Sequence, residues 1–439
     1  MDWVEILNRM RNLFVSNHMA GWVDQAVVSA TNLMILLALA RWSNISDVGY
    51  FAIATSVLVF AVAVQDSLIT RPYTILLGKP STAVEGQTAS AIVFTALIAV
   101  ALSALALLVG SLVGYFVETR IATALAIALS TAIPTVLFKE FARRHSFANH
   151  CAWRAVALDV AVGFMACAGV VLLWLNQQLT ATNVVLVLGL SSFTAFTVWF
   201  MLLPERFKVS AGSLIETARE NIKLGKWFLV GQISAQAQGY ATHWITMAIG
   251  GAVATGLYTS CLSIVALSNP FLFGYFNILT PKFVRVLNEE GIIALRRQVK
   301  LSALMLGIVM AVFALVVSLN GSMLMGVMFP GEAYREGLGI LTILAFATLL
   351  GAIGGPPGVA LMVTKNGHVL ALLSFSTFVI GSALVCVLMA LWGLRVAAYG
   401  ILLMETVGCL GRWVLLLQLL PLRHVEAPSS SSAVVSGWM

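Results

Sequence analysis

Charge is what this sequence has least of. Of its 439 residues, 25 are Lys or Arg and 18 are Asp or Glu, which makes 10% charged against 60% hydrophobic. A water-soluble domain carries roughly 25% charged residues to keep its surface wet. That shortage excludes a soluble fold and makes lipid the solvent for most of the surface. Cysteine is also sparse. Cys151, Cys167, Cys261, Cys386 and Cys409 lie scattered, with no CxxC or ligand-like spacing. No disulfide framework and no metal site follow from them. Enzyme signatures are missing too: the chain has no GxSxG, HExxH, P-loop or dinucleotide fingerprint. It is therefore expected to be no enzyme and to need no cofactor. Long hydrophilic stretches are absent, so no soluble domain is expected to protrude on either side.

Long apolar runs are what the chain does have. They fall near 18–40, 49–70, 89–114, 121–138, 155–175 and 183–203. Six more follow near 227–249, 256–280, 301–320, 338–363, 368–391 and 397–420. Each can cross a hydrocarbon core of about 30 Å at 1.5 Å per residue. Backbone amides in lipid must be satisfied internally, and continuous runs exclude the alternating pattern of a β-barrel. The expected fold class is an all-α polytopic membrane protein with about twelve spanning helices. Of the 25 basic residues, 20 fall on one side if both termini are cytoplasmic. The formal charge of +7 is thereby read as a topology signal, and nucleic acid has no place as a partner.

Residues 1–17 read as an interfacial amphipathic N-terminus, with Trp3, Ile6, Leu7, Met10, Leu13 and Phe14 three and four apart. The longest basic connection, 204–226, reads as a cytoplasmic linker between an N-lobe (18–203, helices 1–6) and a C-lobe (227–420, helices 7–12). The Ser-rich end, 421–439, reads as a disordered tail. A shift of 207 residues places Gln25 on Gln232, Ser29 on Gln236, Gly49 on Gly256 and Ser56 on Ser263. Two six-helix lobes repeated in parallel would hold substrate between them.

Polar residues inside the runs are the candidate site, because a charge at bilayer depth costs at least about 2.5 kcal/mol on insertion scales. Gln25, Ser29 and Asn32 share one face of the first helix, with Asp24 beside them. Gln232, Gln236, Tyr240 and His243 share one face of the seventh. Asp66 is expected to pair with Arg71 at a helix end, and Asp159 to lie at the interface. Glu405 and Arg412 share a face of the last helix. Pro134, Pro270 and the run Gly354-Gly355-Pro356-Pro357-Gly358 are expected to kink their helices, the last as a hinge.

Several of these residues also carry a resemblance. Val23-Asp24-Gln25 through Ser29 and Asn32, Leu39-Ala40-Arg41-Trp42 and Asp47-Val48-Gly49-Tyr50-Phe51 resemble the opening of polysaccharide-transporter flippases. So do Gln65-Asp66-Ser67-Leu68-Ile69 with Arg71-Pro72, and Met328-Phe329-Pro330-Gly331-Glu332-Ala333-Tyr334, where Pro330 is an insertion. These flippases of O-antigen and exopolysaccharide units form a branch of the multidrug/oligosaccharidyl-lipid/polysaccharide (MOP) exporter superfamily. The resemblance implies a MOP/MATE-like pair of lobes in a bacterial inner membrane, moving a polyprenyl-diphosphate-linked oligosaccharide to the periplasmic leaflet. It implies a sugar path lined by Asp24, Gln25, Ser29, Asn32, Gln232, Gln236, Tyr240, His243, Glu405 and Arg412. Arg41, Arg71, Arg143, Arg144 and Arg285 would serve the gates and the diphosphate. Glycan-assembly enzymes are the implied partners. The alternative is a drug or metabolite antiporter of the same superfamily, coupled to H+ or Na+. A membrane-embedded glycan polymerase or transferase is a third reading, disfavoured because no large outer loop is present.

Overall fold

The computed structural model describes residues 3–77, 84–117, 119–203 and 211–420, and every regular element in it is helical. Helix α1 spans Trp3–Trp42, α2 Ile45–Gln65, α3 Arg71–Leu77, α4 Val84–Phe116 and α5 Arg120–Ala148. Next come α6 Ala152–Leu175, α7 Ala181–Met201, α8 Ala211–Val265 and α9 Asn269–Met328. The short α10 Glu332–Arg335 precedes α11 Leu338–Val363, α12 Gly367–Trp392 and α13 Leu394–Leu419.

Among the described residues ten segments are long and apolar enough to cross a membrane, and one of them, Phe228–Met328, holds 101 residues. Two glycines divide it. Gly251 has φ 74° and Gly291 φ 81°, left-handed values that cost a residue without Cβ little. About the first, Thr246 Oγ1 lies 3.3 Å from Thr255 Oγ1, and the His243 ring packs 4.9 Å from Tyr258. Pairs equidistant from a midpoint are the signature of an antiparallel helical hairpin. About the second, Phe283, Val286, Leu295 and Val299 share a buried cluster, with Tyr275 Oη touching Met305 Sδ farther out. The long segment thus makes three passes, and with the other nine the total among the described residues is twelve.

Local structure departs from the sequence expectation at three places. Helix α1 is continuous from Trp3 to Trp42, so the stretch 1–17 shares one helix with the first span from Trp3 onward. Helix α8 already begins at Ala211, inside the expected linker 204–226, of which 204–210 lie outside the described residues. The expected tail 421–439 lies outside them as well. The double proline is helix throughout α11. Its glycines admit neighbours: a Cβ on Gly355 would stand 2.3 Å from Phe276, and one on Gly354 3.1 Å from the Cys409 backbone. Close packing, and no break, is what this run provides. Pro270 does disturb its helix, following a 3-10 turn at Ala266–Ser268, because proline has no N–H for the carbonyl four residues back.

By contacts the chain forms two compact units. The first is Met1–Leu267, Val316–Leu344 and Gly381–Ile401; the second is Ser268–Leu315, Ala345–Ile380 and Leu402–Met439. The first reaches Leu267 because α8 packs along the length of α2: Gly225 meets Ser67 and Leu68, Tyr240 meets Phe60, and Trp244 meets Ser56. Beyond the turn at Gly251, the returning arm of α8 crosses the start of α2 at glycines. A Cβ on Gly49 would lie 2.0 Å from Ala252 O, and one on Gly256 2.1 Å from Ile45 O. The contact is reciprocal at one offset, since residue 252 follows 45, and 256 follows 49, by the same 207 positions.

Asp47 ties two interhelical corners in this unit. Its Oδ1 accepts from Ala181 N–H at 2.8 Å, and its Oδ2 lies 2.6 Å from the Ser43 hydroxyl. Asp47→Ala would leave a helix-initiating amide without its partner. A loss of about 1–3 kcal/mol is expected in thermal unfolding of the purified protein, with Asp47→Asn retaining most of it.

Candidate transport site

Five charged side chains from three helices meet inside the first unit. Arg143 of α5 binds Asp24 of α1 through Nε at 3.0 Å and also through Nη2. The same guanidinium lies 2.8 Å from Asp159 Oδ2 of α6 and 3.2 Å from Glu140 Oε2. Lys139 bridges Glu140 Oε1 at 2.6 Å and Asp159 Oδ1 at 3.0 Å. The Asp24 and Asp159 side chains are 1% and 2% exposed. Within the group three carboxylates face two cations, and Arg144 adds positive charge near Glu140. Two carboxylate oxygens, Asp24 Oδ1 and Asp159 Oδ2, are buried with no hydrogen-bond donor.

The sequence reading reached only part of this group. It gave Asp24 to the cavity stripe and Arg143 to a gate, while Asp159 was expected at the interface. The structure buries Asp159 and engages Arg143 with three carboxylates, so that guanidinium is not open for a diphosphate. Lys139 and Glu140 were missed because the fourth apolar run stops at 138, whereas α5 continues to Ala148. The available signal was the pattern Lys139-Glu140-x-x-Arg143, which places Glu140 and Arg143 one turn apart.

A second cluster gathers on Asp66. Its Oδ2 is 2.7 Å from Arg71 Nε and 3.5 Å from Gln232 Nε2, and its Oδ1 is 3.6 Å from Arg144 Nη2. Thr70 donates to Oδ1 at 2.8 Å. The expected Asp66–Arg71 pair is present, and a second arginine joins it. The Arg71 and Arg144 side chains remain 41% and 47% exposed, so this cluster presents a surplus positive charge. The backbone at Asp66–Thr70 is π-helical. Pro72 explains it: an α-helix would need its N–H for Leu68, and the wider turn accommodates the loss.

From this cluster a seam runs along α8 and α2. Gln232, Gln236, Tyr240 and His243 lie on it in order, His243 buried and the others half-buried. The Phe60 ring is 5.1 Å from Trp244 and 6.4 Å from Tyr240, and Trp244 Nε1 donates to Ser56 Oγ at 2.8 Å. His243 is clasped by Tyr240 and Tyr258, and its Nδ1 has no hydrogen-bond partner. On α1 the expected stripe divides: Asp24 turns into the ionic cluster, while Gln25, Ser29, Asn32 and Arg41 are exposed. The remaining candidates belong to the second unit. There Arg285 is exposed and pairs with Glu289 at 2.9 Å. Glu405 and Arg412 of α13 are half-buried beside Gly351 and Gly354 of α11.

A separate cavity of about 680 Å³ opens between the end of α9 and α10, against Met325, Phe329 and Tyr334. Burial raises the Tyr334 hydroxyl to about 12. Among the described residues no group of His, Cys, Asp and Glu has the geometry to hold a metal ion.

No family model matches this chain, and no curated protein matches it in sequence. Solved structures do match. An inward-facing multidrug resistance MATE family transporter of the MOP superfamily aligns with a TM-score of 0.75 at 13% identity, covering 91% of this chain and 97% of that one. A MOP superfamily transporter from Pyrococcus furiosus, described as having a binding pocket of reversed polarity, aligns with 0.63 at 12% identity over 93% and 95% of the two chains. A MATE protein in complex with MaL6 aligns with 0.62 at 13% identity over 93% and 96%. The chain therefore shares the fold of these MATE structures, and its apolar helices make it a multi-pass membrane protein.

Proposed function

We propose that this chain is a cation-coupled exporter working by alternating access in a bacterial inner membrane. The observation that carries this reading is the buried cluster of Asp24, Lys139, Glu140, Arg143 and Asp159, in which Asp24 Oδ1 and Asp159 Oδ2 have no hydrogen-bond donor. Keeping a buried carboxylate charged without donors to its oxygens is costly, so the cluster gains by taking up a proton whenever it is closed from water. A state that holds the cation and a state that has released it then differ in stability. Substrate affinity is linked to that difference, and the linkage is reciprocal. One solved relative in fold, described as a multidrug resistance MATE family transporter, supports the antiporter form of this reading. No step requires bond chemistry by the protein.

In proteoliposomes bearing a proton or Na+ gradient, Asp159→Asn and Asp24→Asn are expected to slow coupled export at least about tenfold. That corresponds to about 1.4 kcal/mol or more in the rate-limiting barrier. Each variant leaves Arg143 two carboxylates, so folding should persist. Gradient-driven transport at wild-type rate in both variants would sink the coupling role.

For the substrate, the surplus charge of Arg71 and Arg144 over Asp66 favours an anion, because guanidinium matches phosphate oxygens bidentately. It supports the lipid-linked oligosaccharide over an organic cation. A sugar-diphosphate headgroup cannot shed its hydration into hydrocarbon unaided. A polar seam supplies replacement hydrogen bonds while the polyprenyl chain stays in lipid. Two six-helix lobes would alternate around that headgroup, with glycan-assembly enzymes as partners.

A further inference from the structure

We infer that Phe60, Tyr240 and Trp244 form a sugar-ring platform that sets specificity for the glycan part of the substrate; this rests on the lipid-linked oligosaccharide reading above. Three aromatic rings from α2 and α8 adjoin one another, and Trp244 stays 45% exposed. Its indole is not free to turn, because Nε1 is tethered to the fully buried Ser56. A fixed, exposed aromatic face is a preorganised surface whose immobilisation has already been met on folding.

The chemistry around the rings selects the ligand. Aromatic faces carry negative quadrupole density, which attracts the partly positive C–H faces of a pyranose. Gln236 and Gln232 continue the same helix face toward the arginines, and amide groups both donate to and accept from hydroxyls. Hydrophobic stacking with flanking amides suits a ring that is apolar on its faces and polar at its edges. Organic cations would find aromatic faces here too. The nearest carboxylate along the seam, Asp66, is already claimed by two arginines, so the local field opposes them.

The order along the seam fits one molecule. From Trp244 to Gln232 is twelve residues of helix, about 18 Å, and the Arg71–Asp66–Arg144 group lies at the Gln232 end. Sugar rings on the aromatics and a diphosphate at the arginines would place the lipid-proximal end of the glycan beside the positive charge.

The test uses the full chain in lipid nanodiscs and three probes. They are a polyprenyl diphosphate carrying a trisaccharide, the same lipid without sugar, and tetraphenylphosphonium. Wild type is expected to bind the glycosylated lipid at least about tenfold tighter than the bare one, near 1.4 kcal/mol. Trp244→Ala and Phe60→Ala should erase that preference and leave bare-lipid affinity unchanged. Trp244→Phe should keep most of the preference, and Trp392→Ala, an exposed tryptophan elsewhere, all of it. If the alanine variants still discriminate, the platform is overturned while the substrate reading stands. If they lose both lipids equally, the effect is structural and the platform is again overturned. If wild type ignores both lipids and takes tetraphenylphosphonium, the substrate reading fails and takes the platform with it.

Discussion

Replacing Arg143 by methionine is expected to destabilise the protein by about 3–5 kcal/mol, because breaking a buried ion pair strands its partners. Here the stranded partners are Asp24 and Asp159, both almost fully buried, and Glu140. Lys139 reaches Asp159 and Glu140 alone, so Asp24 would keep no cation. Arg143→Lys should recover only part of the loss, since an ammonium is a point charge and cannot fork across two carboxylates. Combining Arg143→Met with Asp24→Asn should recover more than either single change predicts, as coupled neighbours are non-additive. Thermal unfolding of the four purified variants would check the ordering. An Arg143→Met protein as stable as wild type would show that the cluster is wet and weakly coupled.

The second large effect is steric. Gly256→Val should cost about 3 kcal/mol or more, at or above the upper end of ordinary overpacking. The obstructing atom is a backbone carbonyl, Ile45 O, which cannot rotate away as a side chain would. Gly49→Ala meets the mirror obstacle at Ala252 O and should behave alike. Two internal controls carry the opposite sign. A Cβ on Gly231 or Gly239, both in α8, would meet nothing within 4 Å. Alanine there should stabilise by up to about 1 kcal/mol through helix propensity. Equal tolerance at all four positions in an unfolding assay would refute the tight α2–α8 crossing.

Residues that looked like family signatures become physical once placed. Asp47 anchors the α7 amide, and Gly49 lets two backbones touch. Gln65 donates to the Leu137 carbonyl at 2.8 Å. Asp66 sits where Pro72 widens the helix. None of these contacts was visible in sequence, though the residue types were.

What the sequence determined alone was the solvent and the secondary structure. Sixty per cent hydrophobic composition commits the chain to lipid, and lipid commits each run to helix, because a lone amide has no other partner there. Twelve passes follow from the length of the apolar runs, and the polar face of α8 from periodicity. Tertiary structure decided which polar groups are spent and which are free. Hydropathy scores Lys139, Glu140 and Arg143 one at a time, as if each faced lipid unpaired, so the fourth run ended too early. Their cost is cancelled by Asp24 and Asp159 from helices far away in the chain. Ion pairing belongs to positions in space, and no property of the isolated residue contains it.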